Sequence, residues 1–362
     1  MEALGDRRWA SNNSVLAREG MEYGQIAERV AVNGEPGFIF LENARKYGRL
    51  IDGPDFYPKD SRVMGTNPCG EQFLESYELC NLVETFPARH ASLIDYLDTL
   101  KYAYLYGKTV TLLPTHNPKT NAVMMRNRRI GVGMSGIVQH IERFGKMGLK
   151  TWADQGYKRI REWDKLYSEW LCVREAIRVT TVKPSGTVSL LCGATPGIHF
   201  DHSEYYIRNV RIPKLSPMLQ PCIDAGYPVE PCAYQPGSMV VSFPVQSENF
   251  SRSKDQVSVW EQIGLVALMQ TYWSDNSVSS TVTFNKSESK EIPAVLSAYD
   301  DEIKSVSFLP LSDHGYEQAP YITITQEQYE DMISKILHSL WLMDTRSKTS
   351  FATGTPAASK KS

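Results

Sequence analysis

Asn67, Cys69 and Glu71 set a carboxamide, a thiol and a carboxylate within five residues, in the string Thr66-Asn67-Pro68-Cys69-Gly70-Glu71, and a second thiol follows at Cys80. In an extended segment alternate side chains share one side, so the three project together. Pro68 removes a backbone donor and Gly70 admits an unusual turn, which favours a loop tip over a central strand. A hydrogen-bonding pair with a sulfur between its members suits chemistry at a hydroxyl-bearing substrate. Taken alone, the residues also admit a plainer reading, a turn with a buried thiol acting as a small hydrophobe. Zinc motifs favour close Cys pairs joined by further Cys or His, and the Cys69–Cys80 spacing does not match them. No Cys-x-x-Cys redox motif occurs either.

Three further groups carry chemical potential, each with a bland alternative. Pro184-Ser185-Gly186-Thr187 offers N–H and O–H donors for a phosphate, or is a plain strand connection. His199, Asp201 and His202 are metal-ligand types, yet two His three apart on a loop commonly form polar surface. Arg128, Arg129, Arg208 and Arg211 can reach phosphates or sit in salt bridges. Cys172 falls on the apolar face of a helix and reads as core.

The elements that must position these residues follow from periodicity. Helices are expected over Tyr23 to Ala31, from Leu93 to near Gly107, after Gly136, over Gln155 to Glu175, over Asp255 to Trp273, near Pro293, and over Gln326 to Met343 with Thr325 as N-cap. Strands are expected over Arg178 to Lys183, Val188 to Leu191, Tyr205 to Ile212, Ser238 to Phe243, Val278 to Phe284 and Ile303 to Phe308. Alternation of strands with helices implies crossover units and a mainly parallel sheet in an α/β fold. Residues 346–362 lack an apolar pattern and read as a disordered tail.

The whole composition is that of an ordinary globular protein: 362 residues, 42% hydrophobic and 22% charged. A formal net charge of −2 provides no basic field for nucleic acid or membrane surfaces. No apolar run reaches the ~18 residues a spanning helix needs. Six cysteines are too few for a disulfide scaffold, which points to a reducing, cytoplasmic setting.

The string TNPCGEQFLESYELCNLVETFP resembles the active-site segment of ribonucleotide reductases, closest to the monomeric adenosylcobalamin-dependent (class II) ribonucleoside-triphosphate reductases. RRWASNNSV, NGEPGF, YGRLIDG, NRRIGVGMSGI, TTVKPSGTVSLL, QTYWSDNSVSSTVTF and KSVSFLP also resemble that family, in its order, so the likeness runs from about Leu4 to about Trp341. The resemblance implies part of a ten-stranded α/β barrel, the finger loop plus the second half, occupying residues 1–345. It implies that Cys69 becomes a thiyl radical that takes the 3′-hydrogen of a ribonucleotide, a triphosphate in preference to a diphosphate. By the same resemblance Glu71 accepts the 3′-hydroxyl proton, Asn67 orients the sugar hydroxyls, and Cys80 is one thiol of the reducing pair. Pro184, Ser185, Gly186 and Thr187 match the substrate-phosphate loop. Adenosylcobalamin is the implied cofactor and thioredoxin, or a similar thiol reductant, the implied electron source.

The sequence also departs from the family. The N-terminal half of the barrel, with the second thiol of the reducing pair and the specificity elements, does not appear, and the 346–362 tail lacks the family's cysteine pair. A half barrel would expose strand edges. The expectation is therefore the C-terminal part of a split or truncated reductase that works with an N-terminal reductase polypeptide. The alternatives are a non-catalytic remnant or binding subunit, or a minimal self-associating enzyme. Cys192, between the Pro184–Thr187 loop and the Ala194 to Phe200 loop, is the candidate replacement for the missing thiol.

Overall fold

Helix starts are set by side chains that accept the first free amides. Ser92 accepts from the Asp95 amide at 3.3 Å, and Thr325 forms a capping box with Gln328, as its position before an apolar run predicts. The computed structural model describes residues 13–57, 59–186, 188–248, 250–311 and 317–337. Up to residue 201 the order is β1 (Ser14–Leu16), α1 (Gly24–Asn33), β2 (Gly37–Ile39), α2 (Leu41–Lys46), β3 (Gly65–Thr66), β4 (Phe73–Leu74), β5 (Leu82–Thr85), α3 (Leu93–Val110), α4 (Pro118–Asn127), β6 (Gly131–Met134), α5 (Ile137–Trp170), β7 (Thr180–Thr181) and α6 (Val188–Leu191). There follow β8 (Tyr205–Pro213), α7 (Leu219–Asp224), β9 (Val229–Pro231), β10 (Ser238–Gln246), α8 (Val259–Tyr272), β11 (Thr281–Phe284), α9 (Ile292–Tyr299), β12 (Ser305–Pro310), β13 (Tyr321–Thr323) and α10 (Gln326–Ser334).

The sequence reading takes 1–345 as one domain; contacts divide the chain into two compact units. One holds the chain up to Asp201 and again from Glu248 to Leu311, the other His202–Ser247 and the described residues from Glu317 on. In the first unit β5, β6 and β7 form a parallel sheet, with Glu84 opposite Gly133 and Val132 opposite Thr180. A second sheet runs β1-β2-β12-β11, parallel except where β12 meets β2. A parallel bridge from Val182 to Val278 links the end of β7 to the approach to β11. Tyr96, Leu100, Val132, Ile160 and Trp273 are fully or almost fully buried between these strands and helices α3, α5 and α8. Gly156 permits a close approach of α5 to α3, since a Cβ there would lie 2.9 Å from Leu100 Cδ1.

The second unit is an antiparallel sheet, β13-β8-β10-β9, packed through Val241 against Leu219 and Cys222 of α7. The mainly parallel expectation thus describes the first unit and not the second. Two local expectations also change. Val188 to Leu191 is a helical turn, not a strand, because the Ser189 amide and hydroxyl both donate to the Ser185 carbonyl and close the turn. Cys172 is exposed, not core: α5 stops at Trp170, and Cys172 lies beyond it at a φ of 53°. The tail over 346–362, and most of the Arg7 to Val15 string, lie outside the described residues.

Candidate active site

Strands β3 and β4 pair antiparallel over two residues each, so residues 67–72 form the tip of a tight hairpin. Gly70 takes the left-handed conformation, with φ of 78°, that the turn requires. Asn67 closes the loop: its amide donates to Gln72 O at 3.1 Å, and its Oδ1 accepts from the Gln72 amide at 3.1 Å. The tip is suspended by its main chain. Ser279 Oγ donates to the Cys69 carbonyl, Ser305 Oγ to Gly70 O at 3.3 Å, and Thr181 Oγ1 to Glu71 O at 2.7 Å.

With the backbone fixed from outside, the side chains converge. Asn67 Nδ2 donates to Cys80 Sγ at 3.6 Å, and the Cys80 thiol lies 4.0 Å from Glu71 Oε1. Glu71 is only 2% exposed, and its Oε2 is buried without a hydrogen-bond partner. A buried lone carboxylate oxygen is costly unless a donor arrives. Cys69 is exposed, beside a cleft of about 390 Å³ lined in part by Asn67, Ser279, Ser280, Ser305 and Ser307. The four residues singled out from the sequence therefore share one hairpin and its flank.

The electrostatics favour protonated sulfur. Cys80 keeps accessible surface, yet the protein packed around it and the Glu71 carboxylate push its thiol up to about 12. Desolvation and Glu71 also raise Cys69, with Lys183 partly offsetting them. Both groups carry S–H bonds at neutral pH, which suits hydrogen-atom chemistry better than attack by a thiolate.

The Pro184–Gly186 turn lies just beyond β7. The amides of Ser185 and Gly186 donate to Lys183 O at 3.0 Å and Pro184 O at 2.8 Å, and among the described residues of the turn the Ser185 hydroxyl is buried without a partner. Thr187 lies outside the described residues. Cys192 follows α6, half-buried, and makes no hydrogen bond to the hairpin among the described residues. The imidazole of His199 is engaged at both nitrogens, Nδ1 with Pro196 O at 3.0 Å and Nε2 accepting from the Thr281 amide at 3.1 Å. Arg129 is fully buried between Asp60 and Glu78, and Arg128 donates to Thr111 O, so both are structural.

Two residues not assigned a role from the sequence belong to the neighbourhood. Lys183 acts electrostatically on Cys69, Cys80 and Glu84. Glu84 sits on β5, four residues after Cys80 in the chain, and accepts from Ser135 Oγ at 2.5 Å. Its place in the Cys80-Asn81-Leu82-Val83-Glu84 string, a few residues beyond the second thiol, is the signal that points to it.

Comparison with known proteins gives a consistent result. The chain is 49% identical over 331 residues to an adenosylcobalamin-dependent ribonucleoside-triphosphate reductase of Euglena gracilis, covering 91% of this chain and 45% of that protein. It is 48% identical over 332 residues to a probable reductase of the same type from Dictyostelium discoideum, covering 91% of this chain and 44% of that protein. A Lactobacillus gasseri reductase of this type is 40% identical over 361 residues, 90% of this chain and 48% of its own length. The chain spans about half the length of these curated relatives. No protein-family model matches it. In structure it superposes on a crystal structure of a B12-dependent (class II) ribonucleotide reductase with a TM-score of 0.86 and 34% identity, over 97% of this chain and 53% of that one. The class Id ribonucleotide reductase alpha subunit of Actinobacillus ureae shares the fold at a TM-score of 0.56 and 14% identity, over 83% of this chain and 65% of that one. Likeness along nine-tenths of its length, in sequence and in backbone, makes this chain a member of the adenosylcobalamin-dependent (class II) ribonucleotide reductase family.

Proposed function

We propose that this chain is the C-terminal catalytic part of a ribonucleoside-triphosphate reductase, reducing ribonucleotides at the 2′-carbon for deoxyribonucleotide supply. The observation that carries the reading is the hairpin tip, where Asn67, Cys80 and Glu71 meet within 4.0 Å and Glu71 keeps one buried oxygen unpartnered. A substrate hydroxyl is the donor that oxygen lacks. In this reading Cys69 removes the 3′-hydrogen, Glu71 takes the 3′-hydroxyl proton as general base, and Asn67 orients the sugar. Cys80 and a second thiol supply two electrons and become a disulfide, while the 2′-hydroxyl leaves as water. Ser185, with Lys183 beside it, is the donor for a substrate phosphate.

The residues present fit the family's cofactor in one respect: Cys69 is exposed at a cleft rich in serine hydroxyls, so a radical carrier can reach its sulfur. Adenosylcobalamin, when bound, supplies the radical that activates Cys69; every other step belongs to side chains. The second thiol comes from the rest of the reductase, on the same polypeptide or a separate one; among the described residues Cys192 makes no hydrogen bond to the hairpin, which supports this reading. External reductant of the thioredoxin type then restores the dithiol. A non-catalytic remnant is the weaker reading, because the thiol, amide and carboxylate are all kept in mutual reach.

The test assays the purified chain with adenosylcobalamin, a small dithiol and the four ribonucleoside triphosphates, alone and with the remaining half of the barrel added. Deoxynucleotide formation with the added half is expected. Turnover by the chain alone, lost on Cys192→Ser, overturns the need for a second part. No turnover in either arrangement favours the remnant.

A further inference from the structure

The first unit holds a polar cavity besides the cleft at Cys69. It measures about 440 Å³, opens where the chain enters β6 and β7, and shares no lining residue with that cleft. The chain as a whole carries a formal net charge of −2, yet three separate segments place cations on this cavity. Lys59 and Arg62 come from the turn ahead of β3, Arg126 from the last turn of α4, and Arg161 and Arg174 from α5 and the residues beyond it. The carboxylates that line it are already engaged. Asp60 accepts from Arg129 Nη2 at 2.5 Å and Nη1 at 2.8 Å, and from Arg178 Nε at 3.3 Å, two arginines from outside the lining. Glu75 is paired with Arg126, and Glu175 lies 3.7 Å from Arg161, which also donates to Ala176 O at 2.8 Å. The side chains of Lys59, Arg62 and Arg174 are exposed, and among the described residues none of the three makes a hydrogen bond or an ion pair.

Like charges gathered around one cavity repel unless an anion lies between them. Guanidinium forks match phosphate oxygens in pairs, and cations on separate segments suit a ligand that carries several charges along its length. Apolar lining is sparse, Ala176 and Ile177, which leaves little for a nucleobase to rest on. We propose that this cavity is an anion site for an oligophosphate chain, free or carried by a nucleotide, with Lys59, Arg62 and Arg174 as its binding residues. Its size is that of a ligand pocket, for which roughly 300–1,000 Å³ is usual. Its wall is braced before any ligand arrives. Asn127 donates to Glu78 Oε1 at 3.0 Å, Arg129 Nε donates to the same oxygen at 2.9 Å, and Glu78 Oε2 accepts from the Glu75 amide at 3.0 Å. A preformed wall spares the ligand the cost of ordering it. The site stands apart from the hairpin chemistry and does not depend on the reductase assignment.

The test is calorimetric titration of the purified chain at low salt with inorganic triphosphate and with ATP. A Ser185→Ala background removes the turn proposed for the substrate phosphate, so the titration reports the cavity alone. The two ligands should bind within a few-fold of each other and more weakly as salt is raised, and adenosine should not displace either. Arg62→Ala with Arg174→Ala should weaken triphosphate binding by about tenfold or more, since two charge-assisted contacts are lost. Lys101→Ala with Lys165→Ala removes the same charge from exposed positions on α3 and α5 and should leave the affinity unchanged. All four side chains are exposed, so the fold should survive both pairs, which thermal melting checks. Absence of binding in the Ser185→Ala background, or an affinity that the Arg62 and Arg174 pair leaves within about twofold, overturns the site. So does displacement of triphosphate by the remaining half of the reductase, which would make the cavity a protein interface. ATP binding more than about tenfold tighter than inorganic triphosphate would support the site and make a nucleotide its ligand.

Discussion

Glu71→Gln should separate chemistry from stability. The substitution keeps size and removes the base. If Glu71 takes the 3′-hydroxyl proton, turnover of the assembled enzyme falls by ~10²–10⁴, equivalent to about 2.7–5.4 kcal/mol of transition-state stabilisation. Stability should not follow. What anchors residue 71 is its carbonyl, which accepts from Thr181 Oγ1 at 2.7 Å and from the Ser277 amide at 3.2 Å, and both bonds survive in the variant. Among the described residues the carboxylate itself has only the long 4.0 Å contact to Cys80, while Oε2 is buried without a donor. Leaving such a group unsatisfied costs ~1–3 kcal/mol, and the new amide hydrogens recover only part of that. The net expectation lies between no change and a gain of about 1 kcal/mol, or a Tm rise of up to ~2 °C. The checks are thermal unfolding of the chain and deoxynucleotide formation in the assembly. A Tm drop of more than about 5 °C, or turnover within tenfold of wild type, would refute the assignment and make Glu71 a structural clamp.

Cys69→Ser should abolish reduction with an unchanged melting curve, because a serine O–H is too strong to serve as the hydrogen-atom exchanger; any measurable deoxynucleotide product removes Cys69 from that role. Asp60 is buried, which alone would raise its carboxyl, but Arg129 and Arg178 hold it below the ordinary value, so its contribution is present above pH ~4 and lost as pH falls below that. Asp60→Asn strands the buried Arg129 charge and should cost about 3–5 kcal/mol in denaturant unfolding at neutral pH; a loss under 1 kcal/mol would show that Glu78 suffices. His140, fully buried against Phe144 and Trp152, is depressed by burial from 6.5 to about 4. Its neutral form therefore stabilises the fold above pH 6.5, and up to about 3 kcal/mol drains away as pH falls to 4. His140→Leu should flatten that part of the stability–pH curve, and an unaltered slope would exclude His140 as its source.

The hairpin tip was legible because its signals are local. Pro68 and Gly70 mark a turn, and Asn67, Cys69 and Glu71 stand within five residues around it whatever the surroundings. Caps such as Thr325 are local too. The suspension of the tip by Ser279, Ser305 and Thr181 is not, since those hydroxyls lie 110 or more residues away in sequence. At Val188–Leu191 a β-branched start suggested a strand, and a serine bonding back to the Ser185 carbonyl decided for a helical turn. Periodicity carried Cys172 into a helix that had already ended, with no glycine to announce the left-handed residue there. Lys183 and Glu84 are ordinary charged residues in the sequence and acquire meaning only from the pairing of β5, β6 and β7.

The suspension of the hairpin by its carbonyls has an evolutionary consequence. Every carbonyl that Ser279, Ser305 and Thr181 hold is common to all twenty amino acids, so the loop's path is indifferent to what residues 69 and 71 carry. Selection on shape and selection on chemistry act here on different atoms. A gene copy released from the need to reduce nucleotides would drift first at the thiol and the carboxylate, with its loop still in place. The scaffold itself does not enforce the thiol and the carboxylate, so their presence together in this chain supports the proposed chemistry independently of the loop's shape.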